Sequence, residues 1–143
     1  MPSDLPRLLV SDRQDLPVDL VPLLQIARAA LIEEGARESE LSVSFVSVEE
    51  MTALHEKWIE EAGPTDVLSF EIDETGEDGV RILGDVVVCP AVAKEGANAY
   101  PDELRLLLVH GILHLLGYDH DELEDRRAMW ARQEALTGVR VAL

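Results

Sequence analysis

His110, His114 and His120 are three of the four histidines in this 143-residue chain, and they fall together in HGILHLLGYDH, residues 110–120. Their spacing is H-x-x-x-H-x-x-G-x-x-H. Two residues four apart on a helix share one face, a turn from each other. Gly117 permits the left-handed backbone that turns a chain back, so His120 beyond it can swing to the same point. Three neutral imidazoles that leave a fourth position open are the donor set of a catalytic zinc site. Iron, nickel and copper also accept imidazole. The plain alternative is a pair of core histidines satisfied by hydrogen bonds. Among Leu106, Leu107, Leu108, Val109, Ile112, Leu113, Leu115 and Leu116, each ring would then need its own partners, and an unpaired buried polar group costs about 1–3 kcal/mol. A third histidine at this offset favours a shared metal.

Zinc peptidases with this ligand spacing carry a glutamate directly after the first histidine as general base. Here that position is Gly111. A peptidase of that kind would lack its proton-transfer group, so the metal serves other chemistry or another side chain supplies the base. Asp85, Asp66 and Asp119 are candidates by their nearness to motifs. Asp119 could instead orient a histidine ring.

These residues need a scaffold. RLLVSD reads as a first strand. Val18 to Glu34 repeats Leu, Ile and Ala at helical spacing and is closed by Gly35. LSVSFVS alternates Leu41, Val43 and Phe45 against serines, as a half-buried strand does. Ser47 and Glu50 form a capping box for a second helix, on which Met51, Leu54 and Trp58 make one apolar face expected in the core. GPTDVLSFEI is a turn and a strand, with Val67, Leu68 and Phe70 structural and with Ser69 able to line a cleft. DETGEDG reads as a polar loop, ILGDVVVCP as a strand stopped by Pro90, and AVAKEGANAY as a short helix. Pro101 starts the helix of His110 and His114, and Gly117 ends it. A last amphipathic helix begins near Asp121, with Asp121 and Glu124 at capping offsets and with Met129 and Trp130 as packing residues. Interleaved strands and helices predict a single α+β domain over residues 1–143, a mixed sheet of about four strands with about five helices. The zinc site is expected at a helix end in a cleft.

Nearly half the residues are hydrophobic, 47%, which predicts a globular fold. No apolar run reaches the ~20 residues of a membrane span, and the first residues lack the pattern of a secretory signal. One cysteine, Cys89, excludes an internal disulfide framework and suits a reducing cytoplasm; its expected place is the core. The net charge of −17 counts against a broad polyanion-binding surface, though not against a small basic cleft.

HGILHLLGYDH, preceded by PTDVLSF and ILGDVVVCP and followed by MWARQEALTG, resembles the YbeY family of bacterial rRNA-processing metallo-endoribonucleases. The likeness runs from Leu41 through the last helix. It implies an α+β fold with a three-histidine zinc site in a cleft, and His110, His114 and His120 match the family's ligands. It further implies cleavage of single-stranded RNA, maturation of the small-subunit rRNA 3′ end and ribosome quality control. The implied partners are the ribosome with its proteins or assembly factors, with no DNA or membrane. Two positions depart from the family pattern. His55 stands where many members have asparagine, and Ile59 where many have an arginine associated with RNA handling. His55 either faces the cleft, as a further catalytic candidate, or caps the apolar stripe. Lys57, Lys94, Arg81 and Arg105 are the candidate phosphate contacts. The metal would supply a hydroxide nucleophile near neutral pH, or would polarise a phosphoryl oxygen during attack by the RNA 2′-OH. Two rival readings are a zinc hydrolase for another substrate and a metal-stabilised ribosome-assembly factor that works by binding alone.

Overall fold

The computed structural model describes residues 5–119 and 121–139. Four strands, β1 (Arg7–Arg13), β2 (Ser39–Val46), β3 (Val67–Thr75) and β4 (Arg81–Val88), form one sheet in the order β1-β2-β4-β3. β1, β2 and β4 run parallel, while β3 pairs antiparallel with β4 and forms an edge. Five helices accompany them: α1 (Leu20–Glu33), α2 (Val48–Leu54), α3 (Pro90–Ala93), α4 (Tyr100–Leu115) and α5 (Leu123–Thr137). The expected mixed α+β architecture is the one observed.

Strand alternation decides what each face of the sheet carries. Leu41, Val43 and Phe45 of β2 join Leu83, Val86 and Val88 in the main core, which α1 and α4 close with Leu23, Leu31, Leu108 and Ile112. On the opposite face Val46, Leu68, Val87 and Cys89 pack against Met51 of α2. Cys89 is fully buried, and burial pushes its thiol pKa up, as suits an inert core position. α4 is apolar almost all round because it is covered almost all round. The sheet lies on one side, α1 on a second, and α5 on a third through Val109, Leu113 and Met129.

The close approach of α4 to the sheet occurs at Gly111. A Cβ there would stand 2.6 Å from Cγ1 of Val86 and 3.1 Å from Oγ of Ser69. Ser69 Oγ donates to the Gly111 carbonyl at 3.1 Å, tying β3 to the helix between the two histidines. The glutamate of a zinc peptidase has no room at this position, so Gly111 has a packing reason of its own.

α4 ends in a Schellman motif. Gly117 N donates to His114 O and Tyr118 N to Leu113 O, at 3.1 and 3.0 Å, with Gly117 at φ 101. Tyr118 then packs on the same cluster as Leu113. His120 lies outside the described residues.

Four expectations of detail are corrected. β3 continues to Thr75, so the supposed loop DETGEDG is half strand, and the turn is closed by Gly76 N donating to Val80 O at 2.9 Å. The stretch AVAKEGANAY is helical only through Ala93, as part of Pro90–Ala93. α5 starts at Leu123 with Glu122 as its unbonded N-cap, so Asp121 and Glu124 form no capping pair. Trp58 is 58% exposed instead of in the core with Met51. The reason is that α2 widens at His55 into a π-helical turn, His55–Ile59. Residue 58 is thereby rotated off the apolar face that α-helical spacing assigned to it.

Gly111→Ala should cost about 1–3 kcal/mol through overpacking against Val86. Thermal unfolding followed by circular dichroism should show a lowered Tm. A Tm equal to the parent's would contradict so close an approach.

Candidate active site

The C-terminal half of α4 and the start of β3 enclose a concavity of about 430 Å³, lined in part by His110, His114, Asp66, Ser69, Glu71 and Ile59. The i, i+4 spacing does what it promised. The two imidazoles stand with ring centroids 4.7 Å apart at an interplanar angle of 80°. Period-2 alternation along β3 brings Ser69 and Glu71 to the same wall, and the chain just before β3 brings Asp66. Ile59 enters from the π-helical turn.

His110 is held from behind by α5. Its Nδ1 donates to Oε1 of Gln133 at 2.5 Å, and Gln133 is only 2% exposed. An amide oxygen accepts and cannot donate, so this bond places the ring proton on Nδ1 and leaves the lone pair on Nε2. Metal-bound histidines are prepared in the same way, by a partner on the other ring nitrogen. Trp130 stands edge-on to His110 with centroids 6.3 Å apart. α5 is in turn fixed by Glu34 at the end of α1, whose two carboxylate oxygens accept from Tyr118 Oη at 2.5 Å and from an Arg132 guanidinium nitrogen at 2.6 Å. The hydrogen bond to Glu34, helped by burial, raises the Tyr118 phenol pKa.

This donor set fits a borderline-soft cation such as zinc. Two imidazoles face one cleft, and one of them is locked in the ligating tautomer. Among the described residues, no group of three His, Cys, Asp or Glu side chains is arranged to hold a metal. His110 and His114 form a pair, and the third histidine of the motif lies outside those residues.

The catalytic candidates separate. Asp66 lines the histidine cleft. Asp85 pairs with Phe70 across the β3–β4 ladder and lies with it on the far side of the sheet, in another groove. His55 is 8% exposed and is not among the cleft's lining residues. Its Nδ1 bonds the Gly63 carbonyl at 2.8 Å, and its Nε2 lies 3.2 Å from a Glu61 carboxylate oxygen. It pins the π-helical turn to the chain that follows. Asp119 caps Asp121 N at 3.2 Å beyond the end of α4 and lines a different surface depression. Glu71 was missed from sequence, although its place two residues after Ser69 on a strand was a usable signal. Gln133 offered none.

The four candidate phosphate contacts lie elsewhere. Arg81 pairs with Asp73 at 2.7 Å and Arg105 with Asp102. Lys94 lies over the Tyr100 ring at 5.7 Å and Lys57 over the Trp58 ring at 4.9 Å. Among the described residues that line the histidine cleft, none is Lys or Arg.

Comparison with known proteins identifies the lineage of this arrangement. The family model described as endoribonuclease YbeY matches residues 13–138. The chain belongs to that family. The endoribonuclease YbeY of Acidothermus cellulolyticus is 46% identical, covering 89% of this chain and 87% of its own length. That of Thermobifida fusca is 45% identical, with 94% of each chain covered. The solution structure of TM1509 from Thermotoga maritima superposes with a TM-score of 0.59 at 29% identity, covering 91% of this chain and 86% of its own. The matched segment of the family model contains α4, its glycine turn and α5, and so the whole histidine–glutamine arrangement.

If His55 holds the turn, His55→Ala should loosen residues 56–63. Trypsin should then cut after Lys57 several times faster than in the parent, at a temperature where both proteins are folded. An unchanged rate would mean that the turn does not depend on the His55 ring.

Proposed function

We propose that this chain is a zinc-dependent endoribonuclease that hydrolyses phosphodiester bonds in single-stranded RNA. Its proposed setting is the cytoplasm, in 3′-end maturation of the small-subunit rRNA and late ribosome quality control, with ribosomal proteins or assembly factors as partners. Membership of the YbeY family supports the reaction class, since the relatives named above are endoribonucleases. The observation that carries the reading is the buried Gln133 that fixes the His110 tautomer inside a cleft shared with His114.

His110, His114 and His120 would be the metal ligands. The metal would supply charge neutralisation at the phosphate and a hydroxide at neutral pH. Gln133 holds the His110 ring. The carboxylates of Asp66 and Glu71 stand on the opposite wall, where either can accept a proton from the attacking oxygen. Ser69 presents a hydroxyl beside them while anchoring α4. An amide hydrolase built on the peptidase pattern is disfavoured by the packed Gly111. No helix in the described residues is long and apolar enough to cross a membrane.

The test uses metal-quantified protein and a labelled single-stranded RNA. His114→Ala and exhaustive chelation should each lower the cleavage rate at least about 100-fold, and added zinc should restore only the chelated parent. Full activity in the folded His114→Ala protein would refute metal chemistry at this site. Separately, Gln133→Leu should weaken zinc affinity about 10–100-fold, measured by competition with a chelating dye. Parent-like affinity would show that the His110 ring needs no such support.

A further inference from the structure

The acidic chain poses a problem that the histidine cleft does not solve. Its described lining offers an RNA strand no Lys or Arg, so apart from the proposed metal the strand would draw on contacts outside the cleft. A second groove, of about 500 Å³, lies on the opposite face of the sheet at the same edge strand, and its walls include Trp58, Phe70, Leu54 and Val87, with Asp85 among them.

The two concavities share their partition. Along β3, Ser69 and Glu71 enter the histidine cleft while Phe70 enters the second groove. Along the π-helical turn, Ile59 enters the cleft while Trp58 enters the groove. A strand leaving the cleft over the β3 edge therefore passes onto the Trp58 ring.

That ring is 58% exposed and has Lys57 Nζ 4.9 Å from its centroid. One wall of the groove carries a closed ion pair. Arg13 is bound by both carboxylate oxygens of Glu50, at 3.2 and 2.6 Å. In a chain of net charge −17, an exposed aromatic ring offers a nucleic acid a contact that needs no positive charge. Asp85 is half-buried, and no hydrogen bond or ion pair engages its carboxylate among the described residues.

We propose that this groove binds one nucleobase of the RNA strand whose backbone lies in the histidine cleft, stacked on Trp58 and read by Asp85, with guanine preferred. The inference rests on the endoribonuclease reading and names how that site selects its substrate. Stacking on an aromatic ring holds single-stranded nucleic acid without demanding basic residues. A carboxylate presents two acceptors in one plane, which match the parallel N1–H and N2–H donors of guanine. Uracil and cytosine offer no such adjacent pair.

The experiment measures kcat and KM on short single-stranded RNAs in which one position at a time is guanine, inosine or abasic. Trp58→Ala should raise KM about 10-fold or more with kcat nearly unchanged, the mark of lost uniform binding. Trp58→Phe should recover most of that loss. At one position near the cut bond, an abasic site should raise the parent's KM to a similar extent and add little in Trp58→Ala. Asp85→Asn should abolish the preference for guanine over inosine. Zinc content and Tm of each variant establish that the cleft itself is intact.

A Trp58→Ala KM within twofold of the parent would overturn the groove while leaving the endoribonuclease reading in place. So would an abasic penalty that persists undiminished in that variant. If the parent cuts none of the RNAs, the same series is read by fluorescence anisotropy. A Trp58-dependent binding loss then supports the groove although the catalytic reading has failed, and absence of binding overturns both.

Discussion

The hydrogen bond from His110 to Gln133 is the interaction on which the site depends. It joins the helix that carries the histidines to the helix that follows the turn, and it spans 23 residues of sequence. It gives the ring nitrogen that faces the buried Gln133 side chain an acceptor. With it, the ring has one orientation and one tautomer. The supports of this bond extend outward. Glu34 holds Arg132, the neighbour of Gln133, as well as Tyr118 just beyond the turn. Met129 fills the space between Val109 and Leu113, one residue before and three residues after His110. The precision of the cleft is therefore a property of three packed helices and not of the motif alone.

The sheet contributes a second constraint, at Gly111. Helix and strand approach so closely there that no side chain fits, and the Ser69 hydroxyl bridges them. The same contact fixes the level of α4 relative to β3, which sets Asp66 and Glu71 across from the histidines. The absence of the peptidase glutamate and the tight packing of the scaffold thus meet at one residue.

Much of this was legible in the sequence because its signals are local. Histidine spacing, a glycine stop and an alternating β2 involve neighbours within one or two turns. They correctly placed His110 and His114 on one helix face, and they gave the order of strands and helices. What was not legible depends on distance or on helix phase. Gln133 is one polar residue on a polar helix, and only tertiary packing reveals that it is buried. Trp58 follows Met51 and Leu54 at α-helical spacing, and nothing nearby announces the π-helical turn that exposes it. Asp85 and Asp66 look alike in sequence, each beside a motif, yet the sheet itself separates them. His55 was ambiguous for a related reason, since its partners Glu61 and Gly63 belong to a turn without periodicity.

In the proposed mechanism Gln133 prepares His110 to bind metal through Nε2, together with His114 and His120. Nitrogen-15 NMR of the imidazole side chains, with and without zinc, tests this directly. In the metal-free protein, His110 should show a protonated Nδ1 and a bare Nε2 near neutral pH. Addition of one equivalent of zinc should shift one ring nitrogen of each of the three histidines, Nε2 in the case of His110, and should leave His55 unmoved. A His110 protonated on Nε2, or zinc shifts that omit the α4 pair, would contradict it.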